Sequence, residues 1–322
     1  MKLPLIPPSR CTSTLPNDLE KSYLIAEPKL DGSRYVLYLG QGCDPYERQR
    51  GNTLLSRRVS TVDHKHVDRT LNIPHITGIE YAGLEGTIID GEIQAKDFLA
   101  TNSVMNSGPV LAVQKQETSG YVTYHVWDCM VFRGQDIRGR SLAERRKVLE
   151  VIIERMGNPH VIPVPQITTN LQDYFTQIVQ GGGEGIIVKD TRLGYGTGWS
   201  KMKKVTDVSC VITGFKPGNG KYADSIGSIA LSVHKDGKLV EVGFASGFKD
   251  DIRLDIAKNP KKYLGTVVDV FCQEVQKTDN PRLRHPTFNR FRDDFSPTDC
   301  TWEKVVNDLK TKIKNNRFKF DK

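Results

Sequence analysis

The sequence contains no apolar run close to the roughly 20 residues that a membrane-spanning helix requires, so we expect no membrane partner. Its start, MKLPLIPPSR, has prolines where a secretory signal has an apolar core. The six cysteines are scattered and form no CxxC pair, which argues against a disulfide framework and a zinc site. Repeats and low-complexity tracts are also lacking. We therefore expect a cytoplasmic protein in a reducing, intracellular compartment.

The sequence has more cationic than anionic residues. The 322 residues include 46 lysines and arginines against 38 aspartates and glutamates, which gives a formal net charge of +8. Such a balance favours a polyanionic partner such as nucleic acid, although it also serves solubility. A chain of this length suggests about two domains.

The first two thirds of the chain are rich in segments with strand-like alternation. Alternating apolar positions predict strands over 23–27, 34–39, 87–93, 121–132 and 185–189. Two helices are predicted among them. The first begins at a capping box formed by Ser141 and Glu144, and the second covers 171–179 and ends with Gly181 at the C′ position.

The pattern changes after about residue 205. Short strands are predicted over 207–216, 228–235, 239–244 and 266–275, with turns rich in Gly and Asp between them and one helix over 250–258. This arrangement is typical of a small β-barrel of the OB type. We therefore predict domains at 1–205 and 206–299, followed by a basic C-terminal tail at 300–322.

Acidic and basic residues recur at the predicted strand ends. Lys29 lies in Glu27-Pro28-Lys29-Leu30-Asp31-Gly32-Ser33-Arg34, where one strand runs into an Asp-Gly turn and another leaves. By itself this is also a common hairpin turn. Four further segments carry such residues. Asp90-Gly91-Glu92 is predicted at the end of a strand and Trp127-Asp128 within a strand. Glu184-Gly185-Ile186-Ile187-Val188-Lys189 is predicted to begin a strand, and the last segment is Trp199-Ser200-Lys201-Met202-Lys203. Carboxylates and cations along one pocket suit a nucleoside triphosphate with its metal, and a lysine there can be a nucleophile.

In this order and spacing, the set resembles the covalent nucleotidyltransferase superfamily and, more narrowly, the ATP-dependent DNA ligases. The resemblance covers roughly 27–294 and is to the minimal two-domain type found in viruses, phages and some bacterial repair systems. It implies an α+β fold, with an ATP-grasp-like, antiparallel-sheet-rich nucleotidyltransferase (adenylation) domain followed by an OB-fold β-barrel. Since Lys29 lies so near the start, we expect no separate N-terminal DNA-binding domain.

The resemblance also implies a role for each matching residue. Lys29 falls on the nucleophile that forms lysyl-AMP, and Glu27 on the acid that receives the adenine amino group. Arg34 and Glu92 match the groups that hold the ribose, and Trp127 matches the ring that stacks on adenine. Glu184, together with Glu92, is expected to bind the metal, and Lys201 and Lys203 to hold the α-phosphate. The nucleotide-binding set also includes Leu30 and Ile187.

The DNA contacts are implied in the same way. Ser56-Arg57 resembles an element whose arginine engages the nick phosphate. The segment 283–294 is similar to the Arg-rich C-terminal signature, which places Arg290 and Arg292 over the nucleotide or on DNA. Many relatives continue this signature with a lysine, where this chain has Phe295, so orientation of the pyrophosphate would depend on Arg290, Arg292 or another cation. Lys221, in a hairpin turn that lacks phosphate-loop spacing, is a further candidate DNA contact.

The resulting hypothesis is an ATP-dependent ligase that seals 3′-OH/5′-phosphate nicks in duplex DNA through lysyl-AMP and DNA-adenylate intermediates. It would use ATP and Mg²⁺, with Mn²⁺ as a possible substitute, and act as a monomer on nicked double-stranded DNA. The alternatives are an RNA ligase, an mRNA-capping guanylyltransferase and a catalytically silent nucleic-acid clamp. His64 and His66 are interpreted as a solvated loop, since no further ligand supports a metal site.

Overall fold

A computed structural model of the protein describes residues 11–12, 15–48, 51–204, 206–272, 274–276 and 281–307. The chain divides into two compact units between Met202 and Lys203. The domain boundaries predicted from the sequence, at 1–205, 206–299 and 300–322, stay a prediction. Most of the predicted basic tail, from residue 308 onward, lies outside the described residues.

The first part of the chain is built mainly from strands. They are Leu24–Pro28 (β1), Ser33–Tyr38 (β2), Thr53–Val59 (β3), His66–Asp68 (β4), Ile88–Gln94 (β5), Thr123–Phe132 (β6), Gln135–Asp136 (β7), Val161–Pro163 (β8), Gly185–Asp190 (β9) and Trp199–Lys203 (β10). The larger sheet has the order β4-β3-β2-β5-β6-β7, with β8 pairing to β6, and the smaller sheet has the order β1-β9-β10. Every pairing in the larger sheet is antiparallel except the parallel pair of β6 and β8.

Five α-helices accompany these strands. They are Pro74–Thr77 (α1), Phe98–Met105 (α2), Pro109–Ser119 (α3), Leu142–Met156 (α4) and Leu171–Gln180 (α5). The main core lies between the larger sheet and its helices. Leu37, Ile89 and Val126 of the sheet pack there with Leu149 and Ile152 of α4. Burial of one apolar face of α4 is what joins this helix to the sheet, since burial of apolar area is the main favourable term in folding.

The second unit is a curled antiparallel sheet. Its strands are Thr206–Pro217 (β11), Ile226–Lys235 (β12), Lys238–Ala245 (β13), Val267–Cys272 (β14), Glu274–Gln276 (β15), Arg282–Arg284 (β16) and Thr287–Phe291 (β17), and its helices are Asp250–Lys258 (α6) and Pro260–Tyr263 (α7). Five strands follow the order β13-β12-β11-β14-β17, and β15 pairs with β16. A bridge between Ser246 and Thr287 joins the two ends of this path. The predicted α+β fold, with an OB-like barrel after the nucleotidyltransferase domain, is confirmed.

The ends of two helices, α4 and α5, were predicted from local sequence signals. The capping box of α4 is present: the Ser141 side chain accepts from the Glu144 backbone, and the Glu144 side chain accepts from the Ser141 backbone. At the end of α5 the prediction was wrong by one residue. Gly181 has a φ of −72° as the C-cap, and Gly182 adopts the positive φ of 90°. Gly182 therefore takes the left-handed position that we assigned to Gly181.

Helices α2 and α3 were missed from the sequence. Leu99, Val110 and Leu111 are exposed on them, while Thr101 and Gln116 are buried. Their apolar residues consequently do not follow the one-sided spacing from which amphipathic helices are predicted. The predicted strand over 266–275 is also divided, into β14 and β15.

One expectation about the motif segments was wrong, and one alternative is excluded. Asp90-Gly91-Glu92 lies in the middle of β5, because the alternation continues to the buried Ile93. The turn after Lys29 does not close a hairpin, since β1 and β2 belong to different sheets. None of the helices within the described ranges combines the length and apolar character that a bilayer crossing requires.

Candidate active site

Lys29 lies on the four-residue link between the two sheets of the first unit. The link follows β1 of the smaller sheet and precedes β2 of the larger one. The Lys29 backbone N–H donates to the Gly185 carbonyl at 2.8 Å, which holds the link against the start of β9. Because Glu184 immediately precedes that strand, this hydrogen bond also brings the two functional side chains together.

The Lys29 amine is paired with a carboxylate. Its Nζ lies 2.5 Å from Oε2 of Glu184, and the two side chains are 23% and 16% exposed. Such a partly desolvated contact is a charge-assisted hydrogen bond, which is stronger than one between neutral groups. It places a proton acceptor next to the predicted nucleophile.

Glu92 is a second acid near Lys29. Burial raises the pKa of its carboxyl to about 8; the positive charge of Lys29 opposes this shift, and the negative charge of Asp90 adds to it. The cations nearby therefore do not fully offset the loss of hydration around this carboxyl. Glu92 is directly opposite Arg34 in the pairing of β2 with β5.

Two glycines of the motifs are required for close packing. A Cβ on Gly32 would lie 2.4 Å from the Ile93 carbonyl oxygen and 2.8 Å from Cγ of Glu92. A Cβ on Gly91 would lie 2.4 Å from the His125 carbonyl oxygen. Real side chains do not approach that closely. Gly32 therefore allows the link to pack against β5, and Gly91 allows β5 to pack against β6.

Arg34 is held by a buried carboxylate. Its Nε donates to Oδ1 of Asp90 at 3.0 Å, and its Nη2 donates to Oδ2 at 2.8 Å. The same Nη2 donates to the Tyr195 hydroxyl at 2.9 Å, and that hydroxyl donates to Asp90. This bidentate geometry fixes the plane of the guanidinium. Sequence reasoning singled out neither Tyr195 nor a pairing role for Asp90.

Trp127 is placed by a bulge in the sheet. Asp90 pairs with Asp128 and Gly91 with Val126, so Trp127 is the extra residue of β6. The Arg34 guanidinium carbon lies 6.0 Å from the centre of the Trp127 ring. A bulge re-aims a side chain relative to the regular alternation, and bulges are frequent beside active sites.

Glu27 has two partners of its own in the smaller sheet. Its Oε2 lies 2.6 Å from Nζ of Lys189, and its Oε1 accepts from Nε2 of Gln166 at 2.9 Å. The Lys189 ammonium also lies 4.1 Å from the centre of the Trp199 ring, a cation–π distance. Both side chains of the ion pair are almost fully buried. The adenine amino group that we assigned to Glu27 would have to share an oxygen that already accepts one hydrogen bond.

Lys189 was absent from the predicted set, because its pairing with Glu27 depends on the register of β1 with β9. It lies two residues after Ile187, and alternate residues of a strand share a face. Ile187 is directly opposite Glu27 in the pairing of β1 with β9. Lys189 is therefore a diagonal neighbour of Glu27 on that face.

The predicted phosphate-binding lysines lie on β10. Lys201 and Lys203 alternate with the buried Met202, so both share the face of Trp199. The Lys201 backbone N–H donates to the Thr12 carbonyl at 2.9 Å. Leu30 is half-buried on the link that carries Lys29.

The predicted DNA contacts are spread over both units. Arg57 is exposed at the outer end of β3. In the second unit, Arg290 and Arg292 both pair with the buried carboxylate of Asp269, at 3.0 Å and 3.2 Å. Lys221 is exposed in the turn between β11 and β12, with its amine 4.5 Å from the centre of the Tyr222 ring.

The acids near Lys29 suit a hard cation. Glu92 and Glu184 offer carboxylate oxygens, the ligands that Mg²⁺ prefers, and a cation would compensate the buried charge of Glu92. Across the ranges that the structure describes, no group of three or more His, Cys, Asp or Glu side chains is arranged to hold a metal. Mg²⁺ typically takes one or two carboxylates and completes its shell with water and substrate phosphates.

The comparison with protein families decides the assignment. Residues 9–205 match the model of the ATP dependent DNA ligase domain, and residues 217–292 match the model of the DNA ligase OB-like domain. The chain belongs to the ATP-dependent DNA ligase family. The resemblance seen in the motifs is thus confirmed at the level of both domains.

The curated relatives agree with this family. A DNA ligase of Methanopyrus kandleri is 32% identical over 215 residues, which cover 57% of this chain and 38% of the relative. A DNA ligase of Methanocorpusculum labreanum is 28% identical over 309 residues, covering 84% and 52%. The chain spans about half the length, or less, of these relatives.

Two solved structures have the same fold as this ligase-family chain. One is Pmar-Lig_Pre, with a TM-score of 0.65 and 19% identity over 84% of this chain and 63% of its own. The other comes from a structure-function analysis of Lig E DNA ligases, described as DNA binding with a minimal scaffold. It has a TM-score of 0.60 and 22% identity over 85% and 94% of the two chains.

Proposed function

We propose that this chain is an ATP-dependent DNA ligase that seals nicks between a 3′-hydroxyl and a 5′-phosphate in duplex DNA. The observation that carries the proposal is the Lys29 amine at 2.5 Å from the Glu184 carboxylate, with Glu92 and Arg34 beside it. This arrangement supplies a nucleophile, a proton acceptor and the charged groups that bind a nucleotide.

In the first step, Nζ of Lys29 attacks the α-phosphorus of ATP. The ammonium must first lose a proton, and we propose that the Glu184 carboxylate, in contact with it before the cation binds, accepts this proton. The N–P bond forms as the bond to pyrophosphate breaks, so negative charge grows on the phosphoryl oxygens and on the leaving group. Lys201 and Lys203 are the cations proposed to stabilise this charge.

The other nucleotide contacts are assigned to groups on the larger sheet. Trp127 would stack on adenine, and Arg34 would contact the ribose from the plane that Asp90 fixes. Mg²⁺, or Mn²⁺ in its place, would be held by Glu92 and Glu184 and would supply Lewis-acid stabilisation of phosphate charge.

Two phosphoryl transfers complete the reaction. An oxygen of the 5′-phosphate attacks the phosphorus of lysyl-AMP, and Lys29 leaves and regains a proton. The 3′-hydroxyl then attacks the 5′-phosphate, which releases AMP and closes the backbone. Arg57 is proposed to hold the nick phosphate, and Lys221, Arg290 and Arg292 are proposed to contact DNA, because charge on phosphate is the main source of affinity.

Labelling with α-³²P-ATP tests this proposal. We expect the purified chain to retain label after denaturation, to lose it on addition of nicked duplex, and to form sealed product. Lys29→Ala should retain no label. Retention of label from GTP instead of ATP would favour a capping guanylyltransferase, and sealing only of RNA nicks would favour an RNA ligase. Either result contradicts the proposal, as does a labelled side chain other than Lys29.

A further inference from the structure

The hairpin of β3 and β4 extends out of the larger sheet. Residues 53–56 of β3 are buried, whereas Arg57, Arg58 and Val59 are exposed. Exposure continues through the turn to Lys65, with only Ser60 half-buried. The strand thus leaves the protein body abruptly, and we call residues 57–66 the projecting hairpin.

The projecting hairpin begins at the active-site end of the sheet. Strands β2 and β3 are antiparallel, with Tyr35 opposite Ser56. Arg57 therefore follows at the end of β2 where Arg34 lies. A strand advances ~3.3 Å per residue, so the six residues that follow Ser56, up to Val62, reach at most about 20 Å beyond the sheet.

The tip of the projecting hairpin has a defined conformation. The Ser60 backbone N–H donates to the Lys65 carbonyl at 2.9 Å, and the Ser60 hydroxyl accepts from the Val62 backbone at 3.2 Å. The Asp63 carboxylate accepts from the Lys65 backbone N–H at 3.2 Å. The Asp63 carboxylate is therefore hydrogen-bonded within the turn, while the Val62 side chain is 90% exposed.

The base of the projecting hairpin is braced by aromatic and charged contacts. The Tyr46 hydroxyl accepts from the His66 backbone N–H at 2.7 Å. The Arg48 guanidinium lies 4.7 Å from the centre of the Tyr46 ring and pairs with Asp44 at 2.9 Å. The Lys65 amine lies 5.5 Å from the same ring. A braced element loses little conformational freedom when it binds a partner.

We propose that the projecting hairpin is a duplex-DNA contact, with Lys65 on the phosphate backbone and Val62 against the sugar edges of the minor groove. Three cationic side chains against one acid give it the charge that a polyanion requires. Proteins that bind the minor groove frequently place apolar side chains in it. With ~3.4 Å per nucleotide along a strand, a reach of about 20 Å corresponds to about six nucleotides from the reacting phosphate.

The inference rests on the proposed function, and its test separates the two. The double variant V62D/K65E removes the apolar tip and reverses the cation. The control V110D/K147E makes the same chemical changes at exposed positions of α3 and α4. Both variants have the same net charge, so a general loss of attraction to DNA affects them equally.

The measurement is the affinity of each protein for a nicked duplex whose 3′ end is a dideoxynucleotide, so that sealing cannot occur. We expect V62D/K65E to bind at least about tenfold more weakly than the parent at ~0.1 M salt, with its salt slope lower by about one. The control should stay within about twofold. Equal weakening in both variants, or no weakening in V62D/K65E, overturns the inference.

Duplex length gives a second readout. As the duplex on one side of the nick is shortened below about six base pairs, the affinity of the parent should fall to that of V62D/K65E. The affinity of the variant should not fall further over that range. An unchanged parent on shortening both sides contradicts the inference. Failure of the proposed function is seen separately, as a parent protein that acquires no AMP from ATP.

Discussion

At the scale of single residues, the half-buried Glu92 predicts that the candidate active site is sensitive to pH. Desolvation raises the pKa of this carboxyl from its usual 4.5 to about 8. A raised folded-state pKa contributes stability below the unfolded pKa, and this contribution is lost as pH rises through the folded pKa. Ionised Glu92 is also the form that could bind a cation, so stability and metal binding depend on pH in opposite directions.

Glu92→Gln should expose this dependence. Gln stays neutral, so the melting temperature of the variant relative to the parent should rise as pH increases from about 5 to about 8.5. In the parent, the Mg²⁺ concentration needed for adenylylation should increase as pH falls below 8, and Glu92→Gln should lose that slope. A pH-independent difference in melting temperature would contradict the assigned pKa shift.

Tyr195 is a positioning residue, since it acts through Arg34. Tyr195→Phe removes a hydroxyl that accepts from Arg34 and donates to Asp90. We expect KM for ATP in the adenylylation step to rise several-fold with little change in maximal rate, and stability to fall by about 1–3 kcal/mol.

Tyr81→Phe is the matched control for this substitution. The Tyr81 hydroxyl is buried and donates to the Ile76 carbonyl at 2.9 Å, away from Arg34. Its loss should lower stability by a similar amount and leave KM unchanged. Equal KM values for both variants would show that Tyr195 has only a structural role.

At the scale of elements, the close approach of β5 and β6 couples stability to the site. Gly91→Ala places a Cβ 2.4 Å from the His125 carbonyl oxygen, so the strands must separate locally. We expect a loss of about 1–3 kcal/mol from overpacking, together with slower adenylylation because Asp90 and Glu92 flank the change. Denaturant unfolding and single-turnover labelling measure these two effects.

Gly139→Ala provides the control, because a Cβ there has nothing within 4 Å. It should leave both stability and adenylylation near the parent values. If Gly91→Ala behaves like this control, the packing argument for the Asp-Gly-Glu segment is wrong.

Some helices of the first unit could be predicted from the sequence and others could not. The capping box of α4 was predictable because Ser141 and Glu144 are three residues apart and act locally. Helices α2 and α3 were not, since their exposed Leu99 and Val110 remove the helical periodicity. The link after Lys29 resembled a hairpin because an Asp-Gly turn is compatible with either a hairpin or a crossing between sheets.

At the scale of the whole molecule, the net charge of +8 predicts salt-sensitive binding to DNA. The logarithm of the binding constant for nicked duplex should fall linearly with the logarithm of salt concentration, with a slope of about 0.9 per phosphate contacted. Anisotropy titrations at several salt concentrations measure this slope. A slope near zero would contradict a phosphate-based interface.

The same titrations can include substitutions in the second unit. Arg290→Ala and Lys221→Ala should each reduce the slope by about one if each side chain contacts a phosphate. Arg290 is already paired with Asp269, so it must exchange that partner for DNA. Lys221 is exposed and needs no such exchange.

The reactive residues stay a prediction, made from the order of short motifs and their resemblance to a ligase family, because the chemistry needs particular side chains within a few positions of a turn or strand. Lys29, Glu184 and Trp127 belong to this class. The hydrogen-bond and ion-pair partners of the predicted site residues were decided only by the tertiary structure. Arg34 meets Asp90 and Tyr195 across 56 and 161 positions of sequence. Lys189 meets Glu27 across the pairing of β1 with β9. Such contacts depend on strand register and sheet order, which local spacing does not specify.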